Sequence, residues 1–163
     1  MFGSQNRIKR ILSTLSATAS ILLLATLAGC GSTGLSIQES EDANRDWHTL
    51  YLRGVFTWWE AEESFRFKKV STNLYVAKAN LVADGQPYDF KIADKDWSPG
   101  LSCGYLEKEN DETLSLGVTS KANCDTPVNN FKFTPDSTGE YLFYFKPQGN
   151  RPPLVYIEKT PAS

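Results

Sequence analysis

The segment LYLRGVFTWWEAEESFRF, Leu50 to Phe67, sets Trp58 beside Trp59, with Arg53 before the pair and Glu60, Glu62 and Glu63 after it. Trp97 stands in FKIADKDWS between Asp96 and Ser98. Large indoles among charged residues suit a flat ligand better than a core. A pyranose ring has one apolar face of axial C–H groups and a rim of hydroxyls. An aromatic ring takes that face out of water, its negative π-cloud meeting the weakly positive C–H bonds. Donors and acceptors at the ring edge then set orientation. Lys91 in YDFKIA and Asn129-Asn130 in PVNNFKF are groups of that kind.

Each of these residues also has a plain structural use. If the strand before Trp58 continues through it, alternation turns Trp58 inward to pack and Trp59 outward. Trp97, in a polar loop, is expected to be exposed, and Trp47 to begin the domain as packing. Lys91 alternates with Phe90 and so faces outward, where a strand lysine is ordinarily solvated. Asn129-Asn130 fit turn chemistry equally well.

Other chemistries find few residues. His48 is the only histidine, so a Ser–His or Cys–His nucleophile would rest on it alone. Glycoside hydrolysis needs two carboxylates flanking a groove, and Glu60, Glu62, Glu63, Asp94 and Asp96 carry no mark of such a pair. DKDWS lacks the spaced ligands and glycine of an EF-hand, and there is no phosphate-binding glycine loop. The expectation is a non-enzyme with no cofactor and no metal.

The elements that must hold these residues alternate with period two. Phe65 and Phe67, Tyr75 to Leu81, Tyr88 to Ile92, Leu114 to Val118, Phe131 and Phe133, Tyr141 to Phe145, and PLVYIE all read as strands. Turn residues punctuate them, among them Asp84-Gly85, Pro99-Gly100 and Gly149-Asn150, and no helix of useful length is expected. The fold class is all-β, an antiparallel β-sandwich over 47–160 with a short tail at 161–163.

Residues 1–29 read as an export signal: Arg7, Lys9 and Arg10 precede an apolar run that ends Leu27-Ala28-Gly29-Cys30. That ending resembles the bacterial lipoprotein signal, which implies lipidation of Cys30, with membrane attachment through its acyl chains (palmitate among them). Two or three chains at about 0.8 kcal/mol per buried CH₂ anchor stably. Gly31 resembles the pattern for transport to an outer membrane, so the expected location is the cell envelope. Residues 30–46 are polar and small, a flexible tether reaching on the order of 20 Å. Losing 1–29 removes three of the 17 Lys+Arg and none of the 19 Asp+Glu, for a net charge of about −5. No basic stripe remains, and nucleic acid is not an expected partner. Cys103 and Cys124 are left as an even pair in an exported chain, expected to form a disulfide worth roughly 3 kcal/mol.

LYLRGVFTWW, LYVAKANLVADGQPYDFKIADKDWS and the closing TGEYLFYFKP…PPLVYIEK together resemble the immunoglobulin-like modules attached to pullulanases, and more distantly the early-set glycogen-binding modules. The resemblance covers nearly the whole domain and implies an immunoglobulin-like sandwich that binds α-glucan. By position it implies Trp59 and Trp97 as the aromatic platform, one residue either way at Trp58. It further implies Lys91 as the cation and Asn129 or Asn130 as a late polar contact. The sequence departs from the pattern at Thr57-Trp58, where Asn-Asn or Asn-Gly is common, in the Cys103/Cys124 region, and in having no catalytic barrel after the module. The implied role is to concentrate glucan for separate glucan-degrading enzymes. The alternative is an interaction or structural lipoprotein that binds a secreted enzyme or secretion component.

Overall fold

The computed structural model describes residues 45–126 and 128–161. The expected signal at 1–29, Cys30, residues 162–163 of the expected tail and most of the expected tether lie outside the described residues. Arg45 and Asp46, at the end of that segment, are held on the domain: Arg45 bonds the Asp125 carboxylate at 3.1 Å, and Asp46 caps the turn at Trp47–Thr49.

The described residues form ten strands: β1 Tyr51–Gly54, β2 Lys68–Ser71, β3 Leu74–Leu81, β4 Tyr88–Ala93, β5 Ser102–Tyr105, β6 Thr113–Leu114, β7 Ser120–Asn123, β8 Phe131–Phe133, β9 Gly139–Gln148 and β10 Arg151–Lys159. One layer runs β2-β3-β9-β10-β7; the other is built on β4, flanked by β1, β5 and β8, with β6 beyond β8. Strand β5 pairs with both β4 and β7, so hydrogen bonding continues around one edge of the sandwich. All pairings between these strands are antiparallel except β6 with β8.

Alternation explains the core. Tyr75, Ala77, Ala79 and Leu81 of β3, Tyr141, Phe143 and Phe145 of β9, and Val155 and Ile157 of β10 turn inward and are buried. Phe90 of β4 and Phe133 of β8 meet Phe143 edge-on across the layers, with ring centres 5.1 and 6.3 Å apart. Trp47 packs 5.1 Å from Phe145, as expected. Burying each such ring is worth about 1.5–3 kcal/mol.

Three expectations require correction. Phe65 lies in a single 3₁₀ turn, Glu63–Phe65, and the strand begins only at Lys68. Leu116 and Val118 are exposed beyond the two-residue β6. Trp58 does not pack: the chain leaves the strand at Gly54, and Trp58 is 88% exposed. The expected disulfide joins Cys103 on β5 to Cys124 just past β7. Gly104, next along β5, admits no side chain, because a Cβ there would meet the Asn129 carbonyl oxygen at 1.6 Å.

Candidate functional site

The Trp58–Trp59 turn is fixed by Gly54 and Thr57. The Gly54 N–H donates to the Thr57 hydroxyl, which donates back to the Gly54 carbonyl, both at 3.1 Å. The Trp59 N–H closes the turn onto the same carbonyl at 2.9 Å. Gly54 has an extended backbone, but a Cβ there would lie 2.6 Å from the Asp89 carbonyl oxygen, so only glycine lets the turn rest on β4. The chain then passes Trp58 and Trp59 at φ of 52° and 64°, in the left-handed region.

Trp97 shares that region, at φ 56°, and these three tryptophans are the only non-glycine residues of positive φ among those described. The conformation costs an L-residue about 1–2 kcal/mol. At Trp97 the compensation is local: the Asp94 carboxylate accepts the Ser98 N–H at 2.8 Å, and the Asp94 N–H donates to the Leu101 carbonyl at 3.0 Å.

Arg53 joins the two loops. Only 4% exposed, it donates through Nε to the Trp59 carbonyl at 2.7 Å and through Nη1 to the Asp94 and Lys95 carbonyls at 2.6 and 3.1 Å. Its guanidinium also lies over the Trp97 ring, Cζ 3.7 Å from the ring centre. Burial pulls its pKa down while Glu60, Asp94 and Asp96 raise it, and an arginine remains charged throughout.

Trp59 and Trp97 stand with ring centres 6.5 Å apart and planes at 43°. With Lys91, Ser102 and Asn130 they line an open cleft of about 340 Å³. Trp97 is 40% exposed. Lys91 leaves the face of β4 opposite Phe90, as alternation requires, but it is not solvated. The tryptophan loops, Thr126 and Asn130 cover that face, leaving Lys91 2% exposed with its Nζ donating to the Thr126 carbonyl at 3.0 Å. Burial holds its pKa down at about 8.

The structure therefore brings Trp59, Trp97, Lys91 and Asn130 together. Asn129 turns away: its amide donates to the Tyr105 carbonyl at 3.0 Å. Trp58 is on the same turn but outside the lining. Sequence reasoning missed Arg53 and Ser102. The signal for Arg53 was available: a charged side chain between Leu52 and Gly54, in the segment that pairs with the strand carrying Lys91. Among the described residues, no group of three or more His, Cys, Asp or Glu side chains is arranged to hold a metal.

No family model matches the chain, and no curated protein matches it. Among solved structures, the ligand-induced structure of AmyP-SBD is similar. The likeness has a TM-score of 0.52 at 21% identity, and it covers 93% of this chain and 95% of that one. It shows a shared fold.

Proposed function

We propose that the domain is a non-catalytic α-glucan-binding module, held at the cell envelope by a lipid on Cys30 and serving to concentrate glucan for separate glucan-degrading enzymes. The observation that carries this reading is the Trp59–Trp97 pair. Two rings inclined at 43° over an open cleft match the apolar faces of successive residues in a curved glucan, where a flat polymer would need coplanar rings. The fold shared with AmyP-SBD, a starch-binding domain, supports a carbohydrate-binding role. A shallow, open site of this kind gives modest affinity, because little of each sugar is removed from water.

A second reading, a protein-docking lipoprotein, draws on the outer face of β9 and β10. There Tyr144 and Tyr156 stack at 4.5 Å, 8° from parallel, and both are partly exposed. The exposure of Trp97 over a formed cleft favours the glucan.

The test is affinity electrophoresis of the full-length protein in gels with and without glycogen. Retardation by glycogen, lost in folded Trp59→Ala and Trp97→Ala variants, is the expected result. An unretarded parent in both glycogen and starch gels overturns the reading and turns attention to the tyrosine face.

A further inference from the structure

The polar lining of the cleft is one-sided. Among the described residues its only charged group is Lys91, and beside it stand the Ser102 hydroxyl and the Asn130 amide. Among the described residues, Lys91 donates one hydrogen bond, to the Thr126 carbonyl, and the Ser102 and Asn130 side chains make none. An ammonium has three N–H groups, so two remain for a ligand. Among the described residues no carboxylate forms an ion pair with Lys91, whereas Arg53 has the charges of Glu60, Asp94 and Asp96 acting on it. Asp89, on the same face of β4, is outside the lining; it is in register with Lys132, whose ammonium pairs with Glu112, and the Asp89 Oδ1 is buried with no hydrogen-bond partner among the described residues.

The two cations are also direct cross-strand partners: Arg53 of β1 is in register with Lys91 of β4. Like charges in that relation destabilise a sheet, and taking an ammonium out of water costs several kcal/mol unless a counter-charge is supplied. A neutral sugar does not supply one. Its hydroxyls would be served as well by a neutral donor, which carries no such cost. Arg53 has its carboxylates, but Lys91 has none in the cleft, and with the Ser102 and Asn130 donors beside it the lining is arranged for an anion.

We propose that the glucan held here bears phosphate monoesters, and that Lys91, Ser102 and Asn130 receive one of them at the floor of the cleft while Trp59 and Trp97 stack on the neighbouring sugars. The inference rests on the glucan reading above. A phosphate monoester carries about −1.5 to −2 charge and three strong acceptor oxygens, which gives each donor group one oxygen.

The experiment is calorimetric titration of the full-length protein with maltoheptaose, with singly phosphorylated maltoheptaose, and with inorganic phosphate. The expected result is a preference of about tenfold or more for the phosphorylated over the neutral heptasaccharide at low salt. That preference should shrink severalfold in about 0.5 M salt, where charge attraction is screened. Inorganic phosphate alone should bind at least tenfold more weakly than the phosphorylated sugar. Lys91→Met should bring the ratio of the two sugar affinities close to one, and Ser102→Ala should lower it part of the way.

Equal affinity for the two sugars overturns the phosphate inference and leaves the glucan reading standing. Binding of neither sugar overturns the glucan reading and the inference with it. Inorganic phosphate binding as tightly as the phosphorylated sugar makes this a free-anion site and also overturns the proposal. The wild-type ratio decides by itself, whatever Lys91→Met does to folding.

Discussion

The Arg53 guanidinium lies 3.7 Å from the centre of the Trp97 ring, buried beneath the two tryptophan loops rather than exposed. A cation on an aromatic face, out of water, is worth about 2 kcal/mol. The same side chain bonds the carbonyls of Trp59, Asp94 and Lys95. One residue of β1 therefore sets the separation and tilt of both rings of the cleft, although it does not line the cleft itself.

Arg53→Met should accordingly destabilise the domain by about 2–4 kcal/mol, since it leaves buried carbonyls without donors. It should also abolish retardation in glycogen gels while both tryptophans remain. Arg53→Lys should not rescue either property, because a point charge cannot reproduce the planar fork. Urea unfolding beside affinity electrophoresis checks this; wild-type binding by Arg53→Lys would remove Arg53 from its positioning role.

Trp58→Gly makes the opposite prediction. Glycine relieves the left-handed backbone, and at 88% exposure there is little packing to lose. Stability should be unchanged or rise by about 1 kcal/mol, and glucan affinity should stay within about twofold. A tenfold loss of affinity would return Trp58 to the platform.

Lys91 gives the domain an alkaline signature. Its pKa is about 8 when folded, and an unfolded chain keeps that proton to about 10.4. Between these values the unfolded state binds more protons, so stability rises with pH from about 8 to 10. Below pH 8 both states are protonated and the full cost of burial is carried. Tyr51, Tyr75, Tyr144 and Tyr156 have raised pKa values and oppose this rise only above about pH 10. Lys91→Met should therefore be more stable than the parent at pH 7, by on the order of 2–3 kcal/mol, with the advantage shrinking by pH 9.5. Urea melts at the two pH values measure it; a constant difference would assign the gain to packing instead.

Replacing Cys103 and Cys124 together by alanine should cost about 3 kcal/mol, the value for closing a loop of this length. Binding should weaken as well. Ser102 of the cleft precedes Cys103, and Thr126, whose carbonyl holds Lys91, lies two residues past Cys124. Thermal melts and glycogen gels on the double variant separate the two effects.

Strands whose alternation is long and unbroken were legible in the sequence, as β3, β4, β9 and β10 show. Strands β5 and β7 were not, since SCGY and SKAN are short, polar and fixed by pairing and a disulfide rather than by pattern. In the site, the residue types were legible and the burial was not. Period two tells which face of β4 carries Lys91, but not that loops from Trp59, Trp97 and Asn130 cover that face. Trp58 misled for a related reason: alternation assumes a strand, and the Gly54–Thr57 hydrogen-bond pair ends the strand before Trp58 is reached.

The bond between Cys103 and Cys124 also sets a timetable. A reducing interior keeps the two thiols apart, and there the stretch bearing Ser102 is not fastened to the one bearing Thr126. Only an oxidising compartment joins them. The cleft is thus finished by its surroundings rather than by synthesis alone. On the glucan reading proposed above, a chain built this way binds weakly where its thiols stay reduced and reaches full strength only where they are oxidised.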